Sequence, residues 1–155
     1  MQLTLTFLLH QMICGAIAAA GFGVLFNVGF RLLPWCAASG ALALAVRTFC
    51  LDQLHWNLEG ASFLAALATG VAVQWLRAVR PALSDLALDV VGCIPMVPGS
   101  FAANAILALY ALTSSNDPQT LVTAMQYTLR VMFTIGAIGT GLAIPTLLLR
   151  VRAFQ

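Results

Sequence analysis

The sequence predicts an all-α, polytopic membrane protein with five transmembrane helices, the fourth of them broken. Three observations carry that expectation. Of 155 residues, 61% are hydrophobic and 8% charged, with a mean hydropathy of +0.97, whereas a soluble domain carries about 25% charged residues. Stretches free of Asp, Glu, Lys and Arg recur at 1–30, 32–46, 60–76, 90–116 and 131–149, and a helix needs about 20 apolar residues to cross a bilayer. The fourth stretch carries two prolines and a glycine at its centre. So few charges cannot cover a water-facing surface, which excludes a soluble enzyme, a nucleic-acid binder and a disordered tail. The net charge of +2 comes from seven Arg and no Lys, too little for a groove that tracks phosphates.

The helices are expected at about 3–29, 33–51, 58–77, 84–113 (discontinuous) and 121–149, within one transmembrane domain covering 1–155. The second run crosses only if it continues through Arg47 to Leu51, and it contains Pro34, Ser39 and Gly40. Charge placement supports it. With five spans, Arg31, Arg77, Arg80, Arg150 and Arg152 fall on one side of the membrane, and Asp52, Glu59 and Asp117 on the other. With four spans the arginines divide between both sides. Short cytoplasmic loops collect Arg and Lys, so the amino terminus is expected outside and the carboxyl terminus in the cytoplasm. Arg47, about one turn from the outer end of helix two, either snorkels outward or pairs with Asp52. Trp35, Trp56 and Trp75 stand at expected helix ends, where an indole keeps its N–H wet and its ring in lipid. No Lys or Arg precedes the first apolar run, and it exceeds the roughly 7–15 residues of a signal-peptide core. It is expected to stay as a span.

Cys14, Cys36, Cys50 and Cys93 lie in apolar stretches without Cys-x-x-Cys spacing, so they read as small packing residues and not as a disulfide framework or a metal site. His10 and His55 are isolated, and no nucleophile elbow or phosphate loop is present. No metal, no cofactor and no enzymatic activity are expected. Membrane helices associate where small residues let backbones approach. Helix one offers Gly15, Ala19 and Gly23 at four-residue spacing, and helix five offers Gly136, Gly139, Thr140, Gly141 and Ala143. These faces either meet each other within the chain or meet another subunit, a second copy included.

The segment Gly92-Cys93-Ile94-Pro95-Met96-Val97-Pro98-Gly99-Ser100 lies inside the uncharged run 90–116. Pro95 and Pro98 each remove a backbone donor and clash with the preceding turn, and each disfavours helical dihedrals at the residue before it. Two half-helices are therefore expected, at about 84–93 and 100–112, separated by unwound backbone near mid-membrane. Such backbone is tolerated only where protein or a water-filled cavity satisfies it. Ser100 is the expected cap of the second half, Gly99 its conformationally free neighbour, and the amide end is suited to an anion. Asn104, one turn on, adds hydrogen bonds. Broken helices of this kind build substrate sites in secondary transporters. A plain proline kink is the alternative.

Two further charged positions are open to two readings each. Arg130 either snorkels at the outer boundary or faces the interior, at a cost of about 2.5–3.5 kcal/mol that binding or pairing would offset. Asp85 and Asp89 stand four apart at the start of helix four. They pair with Arg77 and Arg80 across the loop, or the deeper Asp89 is buried and serves proton coupling.

Ile-Pro-Met-Val-Pro-Gly at 94–99 resembles the Pro-x-x-Pro-Gly signature of the threonine/serine exporter (ThrE-type) family. So do Phe26-Asn27-Val28 with Arg31 and Trp35-Cys36-Ala37, Gly70 with Gln74-Trp75, and Gly141-Leu142-Ala143-Ile144-Pro145. The resemblance spans nearly the whole chain and is nearest to the short, YjjB-like subunit of split, two-component members. It implies one five-helix half of a transporter. A larger membrane subunit of the same family would supply the other half as an inverted repeat. The cargo it implies is a small carboxylate or amino acid, of the succinate or threonine/serine class, exported across the bacterial inner membrane. Pro95, Pro98, Gly99, Ser100, Asn104 and Arg130 are the expected substrate-binding residues and Asp89 the proton-coupling one. The alternative is a non-transporting membrane scaffold or assembly subunit.

Overall fold

The computed structural model describes residues 5–80, 87–113 and 118–153, with side chains at all of these except 87 and 149–153. All the secondary structure among them is helical. In chain order the helices are α1 (Leu5–Leu25), α2 (Leu33–Asp52), α3 (Leu58–Val79), α4 (Ala87–Cys93), a 3₁₀ turn (Ile94–Met96), α5 (Gly99–Leu112) and α6 (Pro118–Ala153). Four of them, α1, α2, α3 and α6, are each long and apolar enough to cross a membrane, and Leu88–Met96 with Gly99–Leu112, a pair bent by 58°, brings the number to five where the pair counts as one span. The expected all-α membrane architecture is observed, with four to five spans and the expected bend in the fourth.

The first helix was expected to reach residue 29 but stops at Leu25. The cause is local. Asn27 takes a left-handed φ of 56°, its N–H bonds Val24 O at 3.0 Å, and the Val28 N–H bonds Gly23 O at 2.9 Å. This paired 5→2 and 6→1 closure satisfies the last carbonyls of the helix, and the buried Val28 side chain anchors it. At the other end of the chain, α6 extends beyond the expected 121–149 in both directions, with Pro118 at its start, where a missing N–H costs nothing.

The chain forms two compact units, Met1–Met96 with Ala137–Gln155, and Val97–Gly136. In the first, close backbone approach decides the packing. Gly15 and Gly23 of α1 face Gly40 and Cys36 of α2, and a Cβ built on Gly15 would lie 2.6 Å from Gly40 O. Gly92 of α4 lies against Ser39 so closely that any side chain there would overlap it. Gly141 of α6 abuts α3, where a Cβ would meet Phe63 O at 2.7 Å. The two small-residue faces thus pack on different neighbours, α1 on α2 and Gly141 on α3, and the expected alternative in which they meet each other is replaced. Gly136 and Gly139 border open space.

Antiparallel succession of α1, α2 and α3 places Arg31, Arg77 and Arg80 at one end of this unit, and the Arg80 guanidinium lies 5.8 Å from the Trp35 ring centroid. Asp52 and Glu59 flank the α2–α3 connection at the opposite end. That part of the expected charge asymmetry is present in the fold; Asp117 and the side chains of Arg150 and Arg152 lie outside the described residues. Trp56 and Trp75 are both exposed. In the second unit, α5 and the first part of α6 are joined by Phe101 and Tyr127, whose ring centroids are 6.0 Å apart.

Candidate functional site: the break and the cleft beside it

The break forms where the prolines dictate it. After Cys93 the chain tightens into the 3₁₀ turn Ile94–Met96, bends at Val97, and passes Pro98 at φ −79°, ψ 66° before α5 begins at Gly99. The dihedral departure sits at Pro98. Gly99 has no positive φ and no neighbouring atom within 4 Å of a built Cβ, so neither conformation nor space demands glycine there, contrary to the expected role. Nor is Ser100 the cap: Pro98 occupies that position, without a side-chain cap bond, and Ser100 lies inside the first turn. The expected first half-helix at 84–93 is seen from Ala87, with Ser84 and Asp85 outside the described residues.

The freed backbone on the α4 side has a partner. Arg47 of α2 donates from Nη1 to Met96 O at 2.8 Å. Arg47 neither snorkels nor pairs with Asp52, the two alternatives read from the sequence; its guanidinium turns to the broken helix. A carbonyl left by a tightened turn needs a donor, and an arginine within a span needs an acceptor, so each group answers the other. Arg47 stands five residues before the end of α2, about 8 Å along the axis at 1.5 Å per residue. The break therefore lies alongside the C-terminal part of α2.

Around this contact is a cleft of about 320 Å³ whose lining includes Gln11, Arg47, Thr48, Asp52 and Pro95. It is bordered by opposite charges, Arg47 and Asp52, that are not in direct ion-pair contact. The Oδ2 atom of Asp52 is buried and accepts no hydrogen bond. Fixed charges of both signs at a cleft wall suit a ligand that carries both, or two ligands of opposite charge.

Of the residues singled out from the sequence, Pro95 lines this cleft and Pro98 is buried at the start of α5. Gly99, Ser100 and Asn104 are exposed on α5 in the second unit. Arg130, exposed on α6 in the same unit, has its guanidinium 5.1 Å from the Phe101 ring centroid, a cation–π distance. Asp89 is buried in the first unit, and Arg77 Nη2 donates to its Oδ1 at 2.8 Å. That pair borders a second cleft of about 400 Å³, lined also by Thr146 of α6. Gln11, Thr48 and Asp52 were not singled out from the sequence as site residues. The sequence offers a signal for Asp52 alone, as a candidate partner of Arg47, and none for Gln11 or Thr48.

Residues 11–148 match the model of a protein family described as Threonine/Serine exporter, ThrE. No solved structure matches the chain.

Proposed function

The chain belongs to the threonine/serine exporter family, a family of transporters, and on that premise we propose that it is one subunit of a secondary transporter exporting a small carboxylate or amino acid across the bacterial inner membrane. A larger membrane subunit of the same family supplies the other half, and the amino terminus faces the periplasm. The observation that carries the reading is the broken fourth span. Its freed Met96 carbonyl is met by Arg47 beside a polar cleft, an arrangement that a continuous structural helix would not require. Broken helices with irregular backbone lining a cavity are how transporters hold small charged cargo within the membrane.

In this reading Pro95 and Pro98 keep the span unwound, and the amides at Gly99 and Ser100, with Asn104, contact substrate in the course of transport. Arg130 meets an anionic group. Asp89 carries the coupled proton, and its protonation would release Arg77 from the ion pair. The clustering of Arg31, Arg77 and Arg80 at one end supports a cytoplasmic location for that end.

Reconstitution tests the proposal. Liposomes containing this chain together with the larger family subunit should accumulate labelled L-threonine, L-serine or succinate, and liposomes containing either protein alone should not. In the joint system Ser100→Ala and Asn104→Ala should lower flux with membrane insertion unchanged. No flux of any of the three compounds would reject the transporter reading. Full flux in both variants would reject those residues as contacts.

A further inference from the structure

We propose that the cleft at Arg47 and Asp52 is a clamp for a zwitterion, and that Asp52 is the residue that selects an α-amino acid over a dicarboxylate. The inference rests on the transporter reading and deepens it by naming the charge pattern of the cargo.

Four observations lead there. Arg47 and Asp52 line one cleft. No ion pair within 4.0 Å joins them, and Arg47 Nη1 instead donates to the Met96 carbonyl at 2.8 Å. A guanidinium has five N–H donors in a planar fork, so this single bond leaves its remaining edge for a carboxylate, the geometry guanidinium recognises best. Asp52 Oδ2 is buried without a hydrogen bond. An unsatisfied carboxylate oxygen in that position is costly, and an ammonium group is the donor that would relieve it most fully.

The chemistry of the ligand follows from this wall. A carboxylate and an ammonium on one carbon match a cation and an anion that face a common cleft without touching. Gln11 and Thr48, which also line the cleft, add neutral groups able to meet a hydroxyl or other small polar side chain. The volume of about 320 Å³ holds one small amino acid with room for water. A dicarboxylate satisfies Arg47 equally well but brings its second negative charge towards Asp52, and like-charge juxtaposition is strongly unfavourable where water is scarce. Arg47 thus holds any small acid, and Asp52 discriminates.

The test is binding of ligands to the purified full chain in lipid nanodiscs, followed by calorimetry. The probes are L-threonine, its amide (no carboxylate), N-acetyl-L-threonine (no ammonium) and succinate. L-threonine should bind best, and each of the other three should bind more weakly by at least about tenfold, the loss expected when one charge-assisted hydrogen bond is removed. In Asp52→Asn, affinity for L-threonine should fall by a similar factor while succinate and N-acetyl-L-threonine bind as well as before or better. Asp52→Glu should retain the preference for L-threonine.

Equal binding of L-threonine and succinate by the wild type, or unchanged L-threonine affinity in Asp52→Asn, would overturn the clamp, as would failure of the wild type to bind any probe. The comparison among probes on the wild-type protein stands even if Asp52→Asn does not fold. Proteoliposomes with the larger subunit separate the two levels of failure. Flux of L-threonine that is the same in wild type and Asp52→Asn overturns the clamp alone, whereas absence of flux for every probe overturns the transporter reading beneath it.

Discussion

Gly40→Ala is the sharpest test of how the first unit is held together. The added Cβ would lie 2.5 Å from Gly15 O and closer still to the Ala19 Cβ. That oxygen contact is about 0.9 Å short of the 3.4 Å at which such contacts become ordinary. Gly15 O belongs to the backbone of α1, so no side-chain rotation relieves the overlap, and α1 and α2 must move apart. Separation loosens the whole Gly15–Ala19–Gly23 face, which has no bulky side chain to fill the gap. Overpacking of this kind costs about 1–3 kcal/mol, and the helix-propensity gain from Gly to Ala returns at most about 1 kcal/mol. A net loss of about 1–2 kcal/mol is expected, some 5- to 30-fold in the folding equilibrium at about 1.4 kcal/mol per tenfold. The assay is reversible unfolding of the full chain in mixed micelles, titrated with a denaturing detergent and followed by circular dichroism. Gly21→Ala is the control, since nothing lies within 4 Å of its built Cβ, and it should show no loss. Adding Ala19→Gly to Gly40→Ala should restore only part of the stability, because the Gly15 carbonyl remains. A Gly40→Ala protein as stable as the wild type would refute the close α1–α2 contact.

Further outcomes are expected at two contacts, Arg77–Asp89 and Arg130–Phe101. Arg77→Gln should destabilise the chain by about 3 kcal/mol, because it leaves the buried Asp89 carboxylate without the cation that pairs with it, and Asp89→Asn should destabilise it as well. The double substitution should cost clearly less than the two together, as a double-mutant cycle in the same unfolding assay would measure, and strict additivity would deny the pair. Phe101→Leu should cost about 0.5–1 kcal/mol through loss of the ring under Arg130; Arg130→Gln should cost no more than that in stability yet lower the flux of an anionic substrate in proteoliposomes, and unchanged flux would leave Arg130 a packing residue only.

Much of the architecture was legible in the sequence because lipid imposes one dominant requirement. Uncharged runs of sufficient length become spans, and two prolines in the middle of one run break it. The α1 boundary was misplaced because apolar composition continues through Phe26 and Val28, while the helix is closed by the hydrogen-bonding geometry around Asn27. Position within an uncharged run gives no sign of that closure. The capping role assigned to Ser100 falls two residues earlier for a similar reason: the turn before α5 is set by Pro98, and Gly99 is already the first residue of the helix. The Arg77–Asp89 contact was among the alternatives read from the sequence, since both residues flank one short connection. The cleft was not legible. Gln11, Thr48 and Asp52 are ordinary residues near helix ends, and only the folded packing of α1, α2 and the 3₁₀ turn brings them beside Pro95.

Arg47 links the legible part to the illegible one. An arginine within a span and an unwound segment within a span are each unfavourable alone, the first by about 2.5–3.5 kcal/mol on insertion scales and the second by the desolvation of its unmade hydrogen bonds. Joined at 2.8 Å, they offset one another, and neither needs water or lipid headgroups to be tolerated. A scaffold that had no use for a cleft would gain the same stability more simply, with an apolar residue at 47 and an unbroken helix through 94–98. Retaining both irregularities, with a carboxylate oxygen left unbonded at Asp52, is costly to a purely structural protein and useful to one that must hold a charged guest and let it go.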